Sequence, residues 1–403
     1  MSAYTVRNNT VRANTVRANT VSDLTTSAAE LHLTPEHIAA TALATLPAIG
    51  PQRLRMLLVG LGAVDAWRTV RGDLAASERI AALLAQENFA HIWRQAATDD
   101  VLRRVEAALH DHHISVVLAT DPSYPSALRG DHAAPAVLFA RGNLATFAQR
   151  RAGVIGTRAA SAAGRHFARG LGRDLSRNGV AVVSGLARGI DAAAHQGVID
   201  AFESGFSGPI AVVATGLDVV YPREHTKLWS AVAECGVIIS ESPPGCGPDA
   251  FRFPLRNRIL AAASEVLVVV ESRATGGSMI TVEQALSRSI TVMAVPGAPQ
   301  SESSVGSNRL ISQGAATVCD ATDVLVALGL NHQRHITPSE TRVPPSADEH
   351  VVLAGLGGGP LTFEQLVEQL RLPIAEVALR LGRLEAHGWV VANAGWWEAL
   401  VAR

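Results

Sequence analysis

Short apolar runs alternate with stretches of helical periodicity through the centre of the chain, from about residue 114 to residue 330. Six runs rich in valine and isoleucine stand at 153–157, 180–185, 210–216, 236–241, 266–272 and 290–297. Near-continuous apolar strands separated by helices are typical of a parallel sheet that is covered on both faces. Because crossovers between parallel strands are right-handed, the pattern predicts an α/β fold with a doubly wound, Rossmann-like parallel sheet over residues 113–330.

Helical patterns dominate the region before this centre, over residues 31–112. Thr34 followed by Pro35 is typical of a helix start, with threonine as the N-cap and proline at the first helical position. Residues 46–54 predict a helix, a tight turn at Gly50 and a second helix. Two interpretations stay open: a helix-hairpin-helix whose turn amides approach a DNA phosphate, or a plain connection. We expect an N-terminal helical domain of the SAM or helix-hairpin-helix type.

The two ends of the chain have their own patterns. Residues 5–21 repeat a polar pentad that begins Thr-Val-Arg. A period of five suits neither a helical face nor a strand, so we expect residues 1–30 to be a disordered, low-complexity tail. Residues 331–346 are polar and contain proline, which indicates a linker.

Residues 347–403 predict three helices and then a hairpin through Trp389 and Trp396, the outline of a winged helix. This C-terminal winged-helix-like domain carries four arginines against seven acidic residues. A helix that reads duplex DNA usually presents more positive charge. We therefore expect protein contact or a structural role there.

The composition excludes several classes of protein. There are 35 basic and 36 acidic residues and the net charge is −1, so nucleic acid could be bound only through a local patch. No apolar run approaches the ~18–20 residues of a membrane span, and the first residues lack the apolar core of a signal peptide. Three scattered cysteines favour reduced thiols over disulfides or a metal site. We expect a cytoplasmic protein that holds no metal.

Glycine-containing loops follow two predicted strands, at the edge where parallel sheets bind ligands. Gly156, Thr157 and Arg158 follow the first run, and residues 184–191 follow the second. Glycine permits tight turns, and the free amides at the start of the next helix favour an anion. Two such loops, each with an arginine, predict a paired phosphate cradle. Neither loop is a GxGxxG fingerprint or a Walker loop, so the sequence predicts no cofactor.

The segment 251–258 places three arginines and two phenylalanines at the start of a predicted helix, and Pro254 fits the first helical position. Arginine at a helix N-terminus opposes the macrodipole, which indicates a bound anion. Aromatic rings between arginines are typical of stacking on unpaired bases. The segment therefore predicts a contact with single-stranded nucleic acid.

Motifs in collinear order across roughly residues 114–330 resemble the DNA-processing protein DprA (Smf) family. They lie at 156–158, at 184–191 with His195, at 216–218 with Tyr221 and Pro222, and at 240–241, 253–259, 277–281, 294–297 and 306–311. Further matches lie upstream at 121–125 and 135–139. The flanking helical and winged-helix segments also occur in longer members of the family.

The resemblance implies a single-stranded DNA-binding protein and not an enzyme. Such a protein shields incoming DNA in natural transformation, helps to load the RecA recombinase, and forms a homodimer through its Rossmann-like domain. Arg158 would hold a phosphate, Phe253 would stack on a base, and the loop after the second strand would supply amides. The expected nucleic-acid contacts are Gly156, Thr157, Arg158, Ser184, Gly185, Ala187, Arg188, Gly189, Lys227, Arg252, Phe253, Arg256, Asn257, Arg258, Gly277 and Ser278.

We expect the arginines among these residues, at 158, 188, 252, 256 and 258, to meet at one edge of the sheet. Lys227 is the one lysine of the chain and follows the Tyr221-Pro222 motif, near which basic residues of relatives approach DNA.

The alternative is a nucleotide-processing enzyme. Residues 276–283 resemble the PGGxGTxxE loop of the lysine-decarboxylase-like phosphoribohydrolases, with Thr275 in place of the proline and Met279 in place of the third glycine. Glu283 alone keeps the register. No Ser-His-Asp, paired-carboxylate or metal-ligand spacing appears elsewhere in the sequence.

Overall fold

The computed structural model describes residues 33–202, 206–330, 343–393 and 395–400. The pentad repeat and most of the predicted linker lie outside the described residues. The region before the sheet consists of helices α1 (Pro35–Ala44), α2 (Gly50–Leu58), α3 (Ala63–Arg71), α4 (Glu78–Ala85), α5 (Phe89–Ala96) and α6 (Asp99–Asp111). Thr34 caps α1 as predicted: its hydroxyl accepts the His37 amide, and Pro35 takes the first helical position.

The turn between α1 and α2 is held from within the helical region. The Trp93 indole N–H donates to the Pro47 carbonyl at 2.8 Å, and Arg53 donates to the Ala48 carbonyl at 2.8 Å. The same Arg53 guanidinium lies 4.7 Å from the Phe89 ring centroid. These contacts pack the turn against α5, and an approach of its amides to DNA stays a prediction.

A nine-stranded sheet forms the centre of the molecule, in the order β1-β2-β6-β5-β4-β3-β7-β8-β9. Its strands are β1 (Ser115–Leu118), β2 (Val137–Gly142), β3 (Arg150–Ile155), β4 (Val180–Ser184), β5 (Ile210–Val213), β6 (Val237–Ser240), β7 (Val266–Val269), β8 (Thr291–Ala294) and β9 (Ala316–Thr317). All six predicted strands are present, as β3 to β8, and they pair in parallel. The antiparallel strands β1 and β2 were not part of the predicted pattern.

The chain changes direction across the sheet next to β3. It moves outward from β3 through β4 and β5 to β6, and then crosses back to β7 on the other side of β3. Open α/β sheets bind ligands at such a switch point, beyond the carboxyl ends of the strands.

The helices of the sheet region are α7 (Ser126–Arg129), α8 (Ala162–Arg177), α9 (Ile190–Ala201), α10 (Thr226–Cys235), α11 (Arg252–Ala263), α12 (Gly277–Leu286), α13 (Val305–Ser312) and α14 (Ala321–Ala327).

The helical region and the sheet share one apolar core. A single cluster of buried side chains contains Leu43 and Trp93 from the helices together with Phe139 and Ile238 from β2 and β6. Burying such large side chains in a common core stabilises both regions. The helical region is therefore packed onto the sheet and not connected to it by a linker alone.

The C-terminal region forms a winged helix, as the sequence predicts. Its elements are α15 (Ala347–Gly355), β10 (Leu361–Thr362), α16 (Phe363–Leu370), α17 (Ile374–Ala386), β11 (Val390–Asn393) and β12 (Trp396–Ala399). The strands pair in the order β10-β12-β11. A separate core that includes Val352, Leu366 and Leu381 holds this domain together.

Candidate nucleic-acid interface

A groove opens where β3, β4 and β7 end and α11 and α12 begin, at the switch point of the sheet. We call it the carboxyl-edge groove. Its lining includes Gly156, Thr157, Arg158, Ala187, Asp191, Tyr221, Phe253, Arg256, Asn257, Arg273, Gly277 and Ser278. A small recess that shares Arg158, Tyr221, Phe253 and Arg256 with the groove is also lined by Gly185 and Arg188.

A cation and two aromatic rings lie together in this groove. The Arg158 guanidinium lies 4.9 Å from the centroid of the Phe253 ring, within the range of a cation–π contact. The Tyr221 and Phe253 centroids are 5.7 Å apart, with the rings inclined at 55°. Phe253 is half-buried. The groove thus offers a charged group for a phosphate beside an aromatic face for a base.

Arg256 forms a buried positive charge at the wall of the groove. Its side chain donates to the Val212 carbonyl, and its Nε has no hydrogen-bond partner among the described residues. Burial lowers the pKa of Arg256 to about 10, so the guanidinium stays charged at neutral pH. A Cβ at Gly185 would stand 2.0 Å from Arg256 Nη1, so a larger residue there would force the guanidinium to move.

Two of the amide clusters expected to bind phosphate are already occupied by carboxylates of the protein. At the start of α8, Glu271 accepts the Ser161 amide at 2.9 Å and the Ser161 hydroxyl at 2.6 Å. After β4, Asp191 accepts the Gly185 amide at 3.1 Å. The Ser161 and Gly185 amides are therefore not open to a phosphate, whereas Arg158 and Ala187 do line the groove, and the paired cradle stays a prediction.

The start of α12, by contrast, is open to the groove. A Cβ at Gly276 or Gly277 would have no neighbour within 4 Å. The first amides of a helix have no partner within it and favour an anion. Asn257 connects this helix start to α11, because its amide donates to the Gly277 carbonyl at 3.2 Å. Ser278 and Ser272 share a hydrogen bond of 2.8 Å between their hydroxyls.

The five arginines expected at one edge do not all meet. Arg158, Arg188 and Arg256 line the groove or its recess. Arg252 instead contacts Asp249 at 2.9 Å. Arg258 pairs with Glu241 and donates to the Ala133 carbonyl. The side chains of Arg258 and Glu241 are 12% and 15% exposed. Arg252 and Arg258 therefore do not join the other three arginines as expected, because nearby carboxylates hold their guanidinium groups elsewhere.

Three other expected contacts lie outside the lining of the groove. Ser184 is fully buried and donates to the Val154 carbonyl at 2.7 Å. Gly189 has a φ of 80°, and its Cα lies so close to the loop after β3 that a Cβ would stand 2.3 Å from the Thr157 carbonyl oxygen. Lys227 is exposed on the first turn of α10.

Arg188, at the recess, pairs with Glu224, and this hydrogen bond lowers the pKa of Glu224 to about 2.

The lining residues that sequence reasoning missed as site residues include Tyr221, Asp191 and Arg273. Each stands in or beside a motif that was recognised, but its side-chain direction depends on the fold. The predicted first position of Pro254 is also corrected, since α11 begins two residues earlier, at Arg252. Proline is tolerated there because the amides of the first turn have no partner within the helix.

The described residues contain no cluster of three or more histidine, cysteine, aspartate or glutamate side chains that could hold a metal ion. Among these same residues, no helix combines the length and apolar character that a bilayer crossing requires.

Two family models match the chain. The model described as DNA recombination-mediator protein A matches residues 115–329, and the model described as the DprA winged helix domain matches residues 337–395. The DNA processing protein DprA of Bacillus subtilis (strain 168) is 35% identical over 238 residues, which cover 59% of this chain and 79% of that protein. A putative DNA processing protein DprA of Mycobacterium tuberculosis (strain ATCC 25618 / H37Rv) is 37% identical over 276 residues, covering 66% and 69%.

A solved structure is also similar. The X-ray structure of DNA processing protein A from Streptococcus pneumoniae superimposes with a TM-score of 0.59 at 30% sequence identity. The match covers 73% of this chain and 98% of that chain.

Proposed function

The chain belongs to the DprA (Smf) family of DNA-processing proteins, and from this premise we propose that its carboxyl-edge groove binds single-stranded DNA. The observation that carries the proposal is the contact of Arg158 with Phe253, beside the buried charge of Arg256. A phosphate would bind between the two guanidinium groups and the start of α12, and a base would stack on Phe253.

Single strands are favoured over duplex because stacking on Phe253 needs an unpaired base. The charge of the chain leads to the same expectation, since a net charge of −1 provides no broad basic surface for a duplex backbone. A short site with few cations should give a shallow salt dependence. For about three phosphate contacts, the slope of log affinity against log salt would be about −2.

The wider role that we propose follows the family: protection of incoming single-stranded DNA and help in loading the RecA recombinase, in the cytoplasm, by a homodimer. The match to the recombination-mediator model supports this role. The proposal includes no catalysis. The alternative, a nucleotide-processing enzyme, would need Glu283 in the groove, and Glu283 is an exposed residue of α12 that does not line it.

The test compares binding of a labelled oligothymidine with binding of a duplex of the same length by fluorescence anisotropy across salt concentrations. We expect tighter binding of the single strand. Equal affinities for the two oligonucleotides would refute the proposal. A nucleotide-hydrolysis assay on the same preparation decides the alternative, because sustained release of base or phosphate would favour the enzyme.

A further inference from the structure

The carboxyl-edge groove contains a buried carboxylate that its proposed function does not use. Asp191 lies in the first turn of α9, is 6% exposed and lines the groove together with Arg158 and Arg256. Its Oδ2 accepts the amide of Gly185, which lines the recess beside Arg256. A buried carboxyl group therefore lies in a site that would receive phosphate.

The charges of Asp191 and Arg256 influence each other. Burial raises the pKa of Asp191, and the positive charge of Arg256 opposes this rise. Burial lowers the pKa of Arg256, and the carboxylate of Asp191 opposes that change. Each group thus favours the charged form of the other in surroundings that exclude water, where such interactions are stronger than at the surface.

We propose that Asp191 is an internal counter-anion of the groove, which neutralises Arg256 in the free protein and limits how tightly a phosphate is held there. The inference rests on the proposed function of the same site. A phosphate that approaches Arg158 and Arg256 also approaches the Asp191 carboxylate, and like charges repel. Asp191 would then lower the affinity of the groove enough for a bound strand to be released.

The test uses Asp191→Asn in the full chain. The amide oxygen of asparagine can still accept the Gly185 N–H, but the negative charge is removed. We expect oligothymidine affinity at low salt to rise about tenfold, which corresponds to about 1.4 kcal/mol. We also expect a lower Tm without DNA and a larger rise in Tm when the oligonucleotide is added, because its phosphate replaces the lost counter-charge.

Asp218→Asn is the matched control. Asp218 also accepts a backbone amide, that of Gly245 at 2.8 Å, but it does not line the groove. Its replacement should leave oligonucleotide affinity unchanged. A purely structural role for Asp191 would lower the Tm of Asp191→Asn while affinity stayed equal or fell, and this result would overturn the inference.

A double variant, Asp191→Asn with Arg256→Gln, keeps the inference testable if the single variant does not fold. Removing both charges should restore folding, because an unpaired buried charge costs more than the loss of the pair. The affinity gain should also disappear. A double variant that fails to fold as well would overturn the inference.

The same variants separate this inference from the proposed function. If the wild-type protein does not bind oligothymidine, the proposed function fails, and inorganic phosphate becomes the probe. A larger phosphate-induced rise in Tm for Asp191→Asn than for wild type would still support the counter-anion. Equal rises would refute it.

Discussion

The contact between Arg158 and Phe253 joins two residues that are 95 positions apart in the sequence and lie on different elements. Their side chains are 4.9 Å apart, measured from the guanidinium carbon to the ring centroid. The sequence identifies each of them as an expected DNA contact, because arginine and aromatic residues suit phosphates and bases. It could not predict that the two side chains would contact each other.

Arg158→Ala should weaken binding of single-stranded DNA by about 1–3 kcal/mol, because a charge-assisted hydrogen bond to phosphate is lost. The slope of affinity against salt should also become shallower. A gel-shift titration measures both quantities. Arg177→Ala is the control, since Arg177 is exposed at the opposite end of α8 from the groove. Equal affinities of Arg158→Ala and wild type would exclude the phosphate role.

Phe253→Ala should lose a stacking contribution of about 1–3 kcal/mol and leave the salt slope unchanged, because no charge is removed. Phe251→Ala provides the matched control. Phe251 is 60% exposed, carries the Arg252 guanidinium over its ring and does not line the groove. If the salt slope of Phe253→Ala falls, Phe253 acts on phosphate binding and is not a stacking residue.

At the scale of elements, periodicity was sufficient for the parallel strands. The runs that became β3 to β8 are apolar throughout because both faces of the sheet are covered, and this leaves a strong signal. The edge strand β1 and its neighbour β2 pair antiparallel, and the other edge strand, β9, has two residues, so their signals are weaker. The start of α1 was predicted because Thr34 and Pro35 act locally.

The loops of the groove could be located but their hydrogen bonds could not be predicted. Glu271 and Ser161, which close the start of α8, are 110 residues apart. Glu241 follows β6 and Arg258 lies in α11, and no periodic pattern in the sequence specifies that these two side chains pair. Carboxylates from distant positions therefore decide which amides and arginines stay available for a ligand.

Gly185→Ala should damage the contact between the loop after β4 and helix α11. The new Cβ would stand 2.0 Å from Arg256 Nη1, and Arg256 is buried and cannot move away freely. We expect a loss of about 1–3 kcal/mol in the free energy of unfolding, as for an overpacked core, together with weaker DNA binding. Thermal denaturation and anisotropy measure the two effects.

Gly247→Ala is the control for that substitution. A Cβ at Gly247 would meet no atom within 4 Å, so stability and affinity should stay close to those of wild type. If Gly185→Ala behaves in the same way as Gly247→Ala, the close approach between the loop and Arg256 does not constrain the groove.

At the scale of the whole molecule, the net charge is close to zero, but the charged residues are unevenly distributed. The groove collects Arg158, Arg256 and Arg273, whereas the winged helix is acidic. On α17, Arg380 pairs with Glu376, and Ile374 and Leu379 are 66% and 56% exposed. Such a surface supports the expectation of protein contact for this domain, which stays a prediction.

The stability of the whole molecule should depend on pH through His195. This residue of α9 is fully buried, and burial, together with the charges of Arg256 and His225, lowers its pKa to about 4. An unfolded chain binds a proton at this position below about pH 6.5, whereas the folded protein does not until about pH 4. Lowering the pH between these values therefore favours the unfolded state, by at most about 3 kcal/mol.

His195→Gln should make the free energy of unfolding fall less steeply between pH 6.5 and pH 4 than it does for wild type. Urea denaturation at several pH values measures the slope, and the slope is informative even if glutamine lowers stability at every pH. His112→Asn, at an exposed position after α6, should keep the wild-type slope. Parallel curves for His195→Gln and wild type would show that His195 is protonated as readily in the folded protein as in the unfolded chain.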